Sequence, residues 1–151
     1  MKNLLILAAF GLATFGLAAC GGAQTQGLHV ADAWASPTPG GVNISAGYFT
    51  IVNDSDTADA LTGAASPRAA RVDLHEMSMN GPVMQMRMTT SVAIPAHGRV
   101  VLAPGGMHLM FNGVTAPFTE GERIPVRLTF AHAGVVAVEL PVSRTAPSHQ
   151  H

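Results

Sequence analysis

The chain reads as an all-β domain, an antiparallel Greek-key sandwich or barrel, preceded by an export segment. Three observations carry that reading. From Leu28 onward, short apolar or alternating runs recur between turn residues. Nothing sustains a helical period after the first twenty residues. The separators are rich in glycine, proline, asparagine and aspartate, which tolerate or preset the dihedral angles of turns.

In chain order, the expected strands are 28–35, 45–52, 58–64, 70–77, 83–89, 99–102, 108–111, 123–130 and 135–142. Between them lie 37–41, 53–56, Asn80-Gly81, 95–98, 104–106, Asn112-Gly113 and Ala133-Gly134. Pro125 interrupts one run and points to an edge strand or a bulge there, because proline donates no ladder hydrogen bond. Short strands at this regular spacing favour a sandwich or barrel.

Residues 1–19 carry one lysine, an apolar run from Leu4 to Ala19 and small residues before Cys20. That is the pattern of a secretory signal, too short to be a convincing membrane span. Leu17-Ala18-Ala19-Cys20 is similar to a bacterial lipobox, in which Cys20 is lipidated and anchors the chain to the membrane. Residues 20–27 then form a polar tether, 28–143 the folded domain, and 144–151 a tail ending in His149 and His151. Cys20 is the single cysteine of 151 residues, so the domain itself has no thiol.

Charge is sparse and balanced, with 11% charged residues and a formal net charge of -1. There is no electrostatic footprint for nucleic acid. Methionine and histidine stand out instead. Seven of the eight methionines and three of the seven histidines lie between His75 and Met110.

Asn80-Gly81 between two alternating runs signals a hairpin. A two-residue turn at Asn80-Gly81 sets His75 opposite Met86. A four-residue loop, which Pro82 allows because it donates no ladder bond, sets Met77 opposite Met86 instead. Both registers leave His75, Met77, Met84 and Met86 on one face, with Glu76, Ser78, Gln85 and Arg87 on the other. Val72 and Leu74 share parity with Glu76, so a bulge near residue 75, or the strand leaving the core there, is expected. Further on, Leu109 and Phe111 alternate with His108 and Met110, which then project together after the Gly105-Gly106 turn.

Two imidazoles and several thioethers, with no thiol and no carboxylate on that face, make a soft and neutral ligand set. Such donors select Cu(I), whereas calcium and magnesium want oxygen and zinc prefers His, Cys and carboxylate. A blue-copper electron carrier needs a cysteine thiolate, and the domain has none. No catalytic motif appears: His75-Glu76 lacks the second histidine of a zinc protease, and no nucleophile elbow or phosphate loop is present. The chain is therefore expected not to be an enzyme. Packing is as good a reading as ligation for Met79, Met84 and Met88, and is the better one for Met107. Trp34 fits the core or the rim of the site. His29, His97 and His132 fit the surface or local hydrogen bonds.

The spacing of ten residues between His75 and Met86, twenty-one between Met86 and His108, and one between His108 and Met110 resembles the signature of the periplasmic PCuAC copper chaperones. Ala46-Gly47-Tyr48-Phe49, Leu74-His75-Glu76-Met77, Pro104-Gly105-Gly106 and Phe111-Asn112-Gly113 are similar to that family as well, from Leu28 to Val142. The resemblance implies a cupredoxin-like β-sandwich holding one Cu(I) per chain through His75, Met86, His108 and Met110, with Met77 as an optional further ligand. It also implies delivery to the CuA site of cytochrome c oxidase subunit II, directly or with a Sco-type chaperone. A copper buffer or resistance protein without an oxidase target is the alternative reading.

Overall fold

The computed structural model describes residues 27–148. The signal segment, Cys20, the tether up to residue 26 and the two terminal histidines lie outside the described residues.

Ten strands form one strongly curved sheet: β1 (Leu28–Ala35), β2 (Ile44–Asn53), β3 (Asp59–Ala65), β4 (Ala69–Asn80), β5 (Val83–Thr89), β6 (Val92–Ile94), β7 (Gly98–Leu102), β8 (His108–Val114), β9 (Arg123–Phe130) and β10 (Gly134–Pro141). The order is β1-β2-β8-β4-β3-β9-β10, with β5 on β4, β6 on β3 and β7 on β2. Every strand pairing is antiparallel, and the non-consecutive neighbours are the mark of a Greek key. The sheet nearly closes on itself. Ala35 at the end of β1 meets Val142 just past β10 in a parallel bridge, and Ser143 N–H donates to the Ala35 carbonyl at 2.9 Å. Among the described residues there is no helix, so the all-β expectation holds. The short strand β6 is the element that the pattern of apolar runs misses.

Period-two alternation builds the interior. β9 alternates without a break, turning Ile124, Val126, Leu128 and Phe130 inward and Arg123, Pro125, Arg127 and Thr129 outward. Leu74, Phe49, Leu109, Phe111 and Leu140 complete the buried centre. Gly47 leaves room for this packing. A Cβ there would stand 2.8 Å from Leu140 Cδ2 and 2.9 Å from Phe111 Cε2.

Pro125 is not at a bulge, and β9 is an inner strand whose β3 side is open only from Pro125 outward. β9 lies between β3 and β10, and its register with β10 is unbroken through Pro125 and Glu139. Proline is accommodated because β3 pairs only as far as Arg127, and beyond that point the Ser66 hydroxyl donates to the Pro125 carbonyl at 2.7 Å. The irregularity lies in β3, between Leu61 and Gly63.

Strand β4 changes partners at the feature that matters most. Residues Ala69 to His75 pair with β8 on one edge, and Leu74 to Asn80 pair with β5. The register with β8 is regular, so the reversal of apolar side near residue 75 is not a bulge. Past His75 the β8 neighbour ends and β4 runs on with β5 as a two-stranded ribbon. Glu76 is no longer above a core, which is why a charged residue can occupy the parity that Leu74 buries.

Candidate metal centre

β8 begins at His108, where β2 exchanges one neighbour for another. β2 pairs with β8 through Gly47 and with β7 from Phe49 onward. The chain between β7 and β8 fills that gap as a tight turn, with Ala103 N–H bonded to the Met107 carbonyl and Gly106 N–H to the Ala103 carbonyl. Gly105 has φ +82°, in the left-handed region that favours glycine. The turn aims the Gly106 carbonyl at two groups. It accepts from Met77 N–H at 3.2 Å and lies 3.0 Å from His108 Nδ1.

That second contact sets a tautomer. A carbonyl can only accept, so His108 Nδ1 carries the proton, and in the neutral ring Nε2 is the nitrogen that keeps its lone pair. A backbone acceptor on one ring nitrogen is the usual way of orienting an imidazole whose other nitrogen is a ligand. His108 is 4% exposed, so its orientation is also held by packing.

Across the ladder, His75 and His108 are direct partners, with ring centroids 5.8 Å apart. His75 Nδ1 is buried and has no hydrogen-bond partner. A buried polar nitrogen without a partner is costly and uncommon, and a metal ion is one of the few things that resolves it. Burial first, and then the neighbouring His108, hold the His75 imidazole below its ordinary value of 6.5. Both effects favour the neutral ring, the form that binds metal.

Met110 lies on the same face, paired with Asp73 on β4 and with the small Ala46 on β2. The hairpin brings the other sulfur atoms. Its register is Met77 with Met86 and Met79 with Met84, while Asn80 and Val83 are the last pair. The turn is therefore Gly81-Pro82, not Asn80-Gly81. Gly81 has φ +64° and the Pro82 ring keeps φ negative, so the turn is of the II′ kind, with a single positive φ at its first central residue. His75 faces Met88 directly, and Met86 is its diagonal neighbour, about 7–8 Å away between Cα atoms and within reach of a long side chain.

His75, Met77, Met86, His108 and Met110 thus share one face at the barrel rim. Met88, outside the expected set, stands beside them. Met79, Met84 and Met88 are 64%, 57% and 65% exposed, so they do not pack into a core. Met107 does pack against it.

The face also holds what the sequence reading did not foresee. Asp73 lies on it, contrary to the expectation of a face free of carboxylates. The regular β4–β8 register keeps residues 73, 75 and 77 on one side. Its carboxylate is already engaged by Arg71 Nε at 2.7 Å and Asn112 Nδ2 at 2.9 Å. Simple alternation back from His75 would have found it. Tyr48 is the second addition, its ring 6.4 Å from His108 and 4.5 Å from Trp34. A one-residue register shift in β1, between Ala31 and Trp34, sets Trp34 opposite Tyr48 and beside the site.

His29 and His97 are engaged elsewhere, with Asp54 at 3.6 Å and Asp56 at 2.6 Å. Among the described residues, no three His, Cys, Asp or Glu side chains gather to hold a metal ion. A metal centre built from the described residues would draw on thioether sulfur as well. The donor set of two neutral imidazoles and methionines suits a soft, closed-shell cation.

The architecture is that of a PCuAC domain. The copper-bound PCuAC domain from PmoF2 superimposes with a TM-score of 0.69 at 22% identity, over 80% of this chain and 96% of that one. Apo-DR1885 from Deinococcus radiodurans gives 0.65 at 28% identity, over 96% and 97% of the two chains. Its Cu(I) form gives 0.60 at 30% identity, over 81% and 83%. In sequence, the profile of the family described as "Putative lipoprotein LpqE-like" matches residues 28–142, and the chain belongs to that family. It is also 32% identical over 122 residues to "Putative lipoprotein Lxx21020" of Leifsonia xyli subsp. xyli (strain CTCB07), spanning 80% of this chain and 72% of that protein.

Proposed function

We propose that this protein is an extracytoplasmic copper chaperone, holding one Cu(I) at the barrel rim through His75, Met86, His108 and Met110, with Met77 adjacent. One observation carries the reading: His75 Nδ1 is buried without a partner, directly across the ladder from His108. The imidazole of His108, whose proton is drawn to Nδ1 by the Gly106 carbonyl, presents Nε2 as a ready donor. The likeness to the Cu(I) form of DR1885 supports the same cargo.

The ligands serve transfer rather than catalysis. All are neutral, so the ion keeps its charge and is held less tightly than by thiolates. Met86 is 48% exposed on a ribbon open on one edge, which lets an incoming acceptor ligand displace it first. His108, buried and oriented, keeps hold until the exchange is complete.

Cys20 lies outside the described residues, and lipidation there is part of the proposal. It is supported by the lipobox-like sequence and by the lipoprotein names of the family and the Leifsonia relative. The acceptor proposed is the CuA site of cytochrome c oxidase subunit II, reached directly or with a Sco-type partner. Anaerobic Cu(I) titration against a chromophoric chelator tests the site, with one equivalent bound by the parent chain. Undiminished affinity in the H75A/M86A/H108A/M110A variant would sink it. Deleting the gene tests delivery: loss of oxidase activity, restored by added copper, is expected. Copper sensitivity with normal oxidase activity would instead identify a buffer.

A further inference from the structure

Beyond His75, β4 and β5 leave the barrel together, and one face of their ribbon is a ladder of sulfur. Its rows are His75 with Met88, Met77 with Met86 and Met79 with Met84. Successive rows lie two residues apart, about 6.8 Å along the strand. The reverse face carries Glu76, Ser78, Gln85 and Arg87, with Glu76 opposite Arg87. The ribbon is therefore apolar and sulfur-rich on the side that continues the rim, and polar on the other.

The outermost row has no packing role. Met79 and Met84 project from the tip, over half exposed, and neither belongs to the buried centre. Methionine is ordinarily a core filler. Two placed directly opposite each other, in water, at the end of a line of further methionines, are unexplained by packing.

We propose that Met79 and Met84 form a second, weaker site for a soft monovalent cation at the ribbon tip, the point at which Cu(I) is first received or last held. The proposal deepens the reading of the rim as a Cu(I) centre and rests on it. Directly opposed residues have Cβ atoms about 4.5–5.5 Å apart, and each thioether turns on three rotatable bonds. Two sulfur atoms can therefore close on one ion from opposite sides. A closed-shell monovalent cation accepts two such donors, and hard cations find no oxygen ligand among these sulfur atoms. The row of Met77 and Met86 lies between tip and rim. An ion would pass by exchanging one thioether for the next, with no change in oxidation state and no proton released.

Ag(I), a redox-inert stand-in for Cu(I), tests this on the full chain carrying 13C-methyl-labelled methionine, with M79L and M84L assigning the two tip signals. Ag(I) is expected first to shift Met86, Met110 and the ring signals of His75 and His108. Further Ag(I) then shifts Met79 and Met84. The readout is resolved by residue, so Ag(I) taken by Cys20 does not register at the tip. M79L should push the Met84 shift, and M84L the Met79 shift, to higher Ag(I) while retaining the first event, and H75A/H108A should lose the first and keep the tip shifts. Leucine at two exposed positions leaves the barrel intact. Tip methyl signals that stay fixed in excess Ag(I), or a remaining tip signal whose Ag(I) dependence is unchanged in M79L and in M84L, overturn the tip site and leave the rim standing. Rim signals that stay fixed while the tip signals move uphold the tip and count against the rim.

Discussion

His75 and His108 face each other across the β4–β8 ladder, yet their Nδ1 atoms are served in opposite ways. That of His108 donates to the Gly106 carbonyl at 3.0 Å, and that of His75 is buried with no partner. One ring is oriented by the protein in advance, and the other is left to be completed by what binds.

This asymmetry predicts different consequences for the two histidines. H108A should weaken Cu(I) binding by about 100-fold or more, since it removes an oriented donor. H75A should also weaken binding, but it relieves a buried unpaired nitrogen and so should leave the apo protein as stable as the parent, or more so. Paired affinity titrations and chemical denaturation of the apo variants check both.

The depressed His75 imidazole gives a pH dependence of defined sign. Its folded value lies below the ordinary 6.5. The unfolded chain therefore binds its proton first, and apo stability falls as pH drops through and below that ordinary value. H75Q should lose less stability than the parent between about pH 7 and pH 5. Denaturation midpoints at several pH values measure the difference. Cu(I) affinity should be flat near neutrality and decline only in acid.

Asp59 offers a second test, away from the site. Burial works to raise its carboxyl, but the N–H groups of His132, Ala60 and Ala133 outweigh this and hold it below the ordinary range. Its contribution is present above the ordinary carboxylate value and lost as pH falls through the lowered one. D59A should destabilise by about 1–3 kcal/mol at neutral pH, with the gap closing in strong acid. Urea unfolding at both pH values checks it.

Gly47 tests the packing beneath the rim. G47A forces a Cβ to within 2.8 Å of Leu140 and 2.9 Å of Phe111. A loss of about 1–3 kcal/mol is expected from overpacking. Cu(I) affinity should suffer as well, because Gly47 pairs with Leu109, next to His108.

Most of this was legible in the sequence for simple reasons. Period-two alternation is a local property, and it separated Leu109 and Phe111 from His108 and Met110 before any fold was known. The alternation left two hairpin registers open, and the structure has the second, with Met77 opposite Met86. Asn80-Gly81 is a strong turn signal, but Pro82 presets a negative φ that suits the second position of a turn begun by Gly81, which moves the turn by one residue. Asp73 escaped notice because the change of apolar side at residue 75 admitted either a bulge or the strand leaving the core, and only the second, which the structure has, keeps residues 73, 75 and 77 on one side. Trp34 fitted either core or rim, and its stacking on Tyr48 beside the site was not legible. Their position depends on a one-residue irregularity in β1, around Asp32 with φ +54°, which no periodicity announces.

Trp34 is the sole tryptophan of the chain, and it lies against Tyr48, whose ring lies 6.4 Å from His108. The molecule therefore carries one indole fluorophore, and it sits beside the position where cargo would rest. Its emission would follow occupancy of the rim in real time, without a dye or label. The same signal, returning as an acceptor is added, would time the departure of the ion.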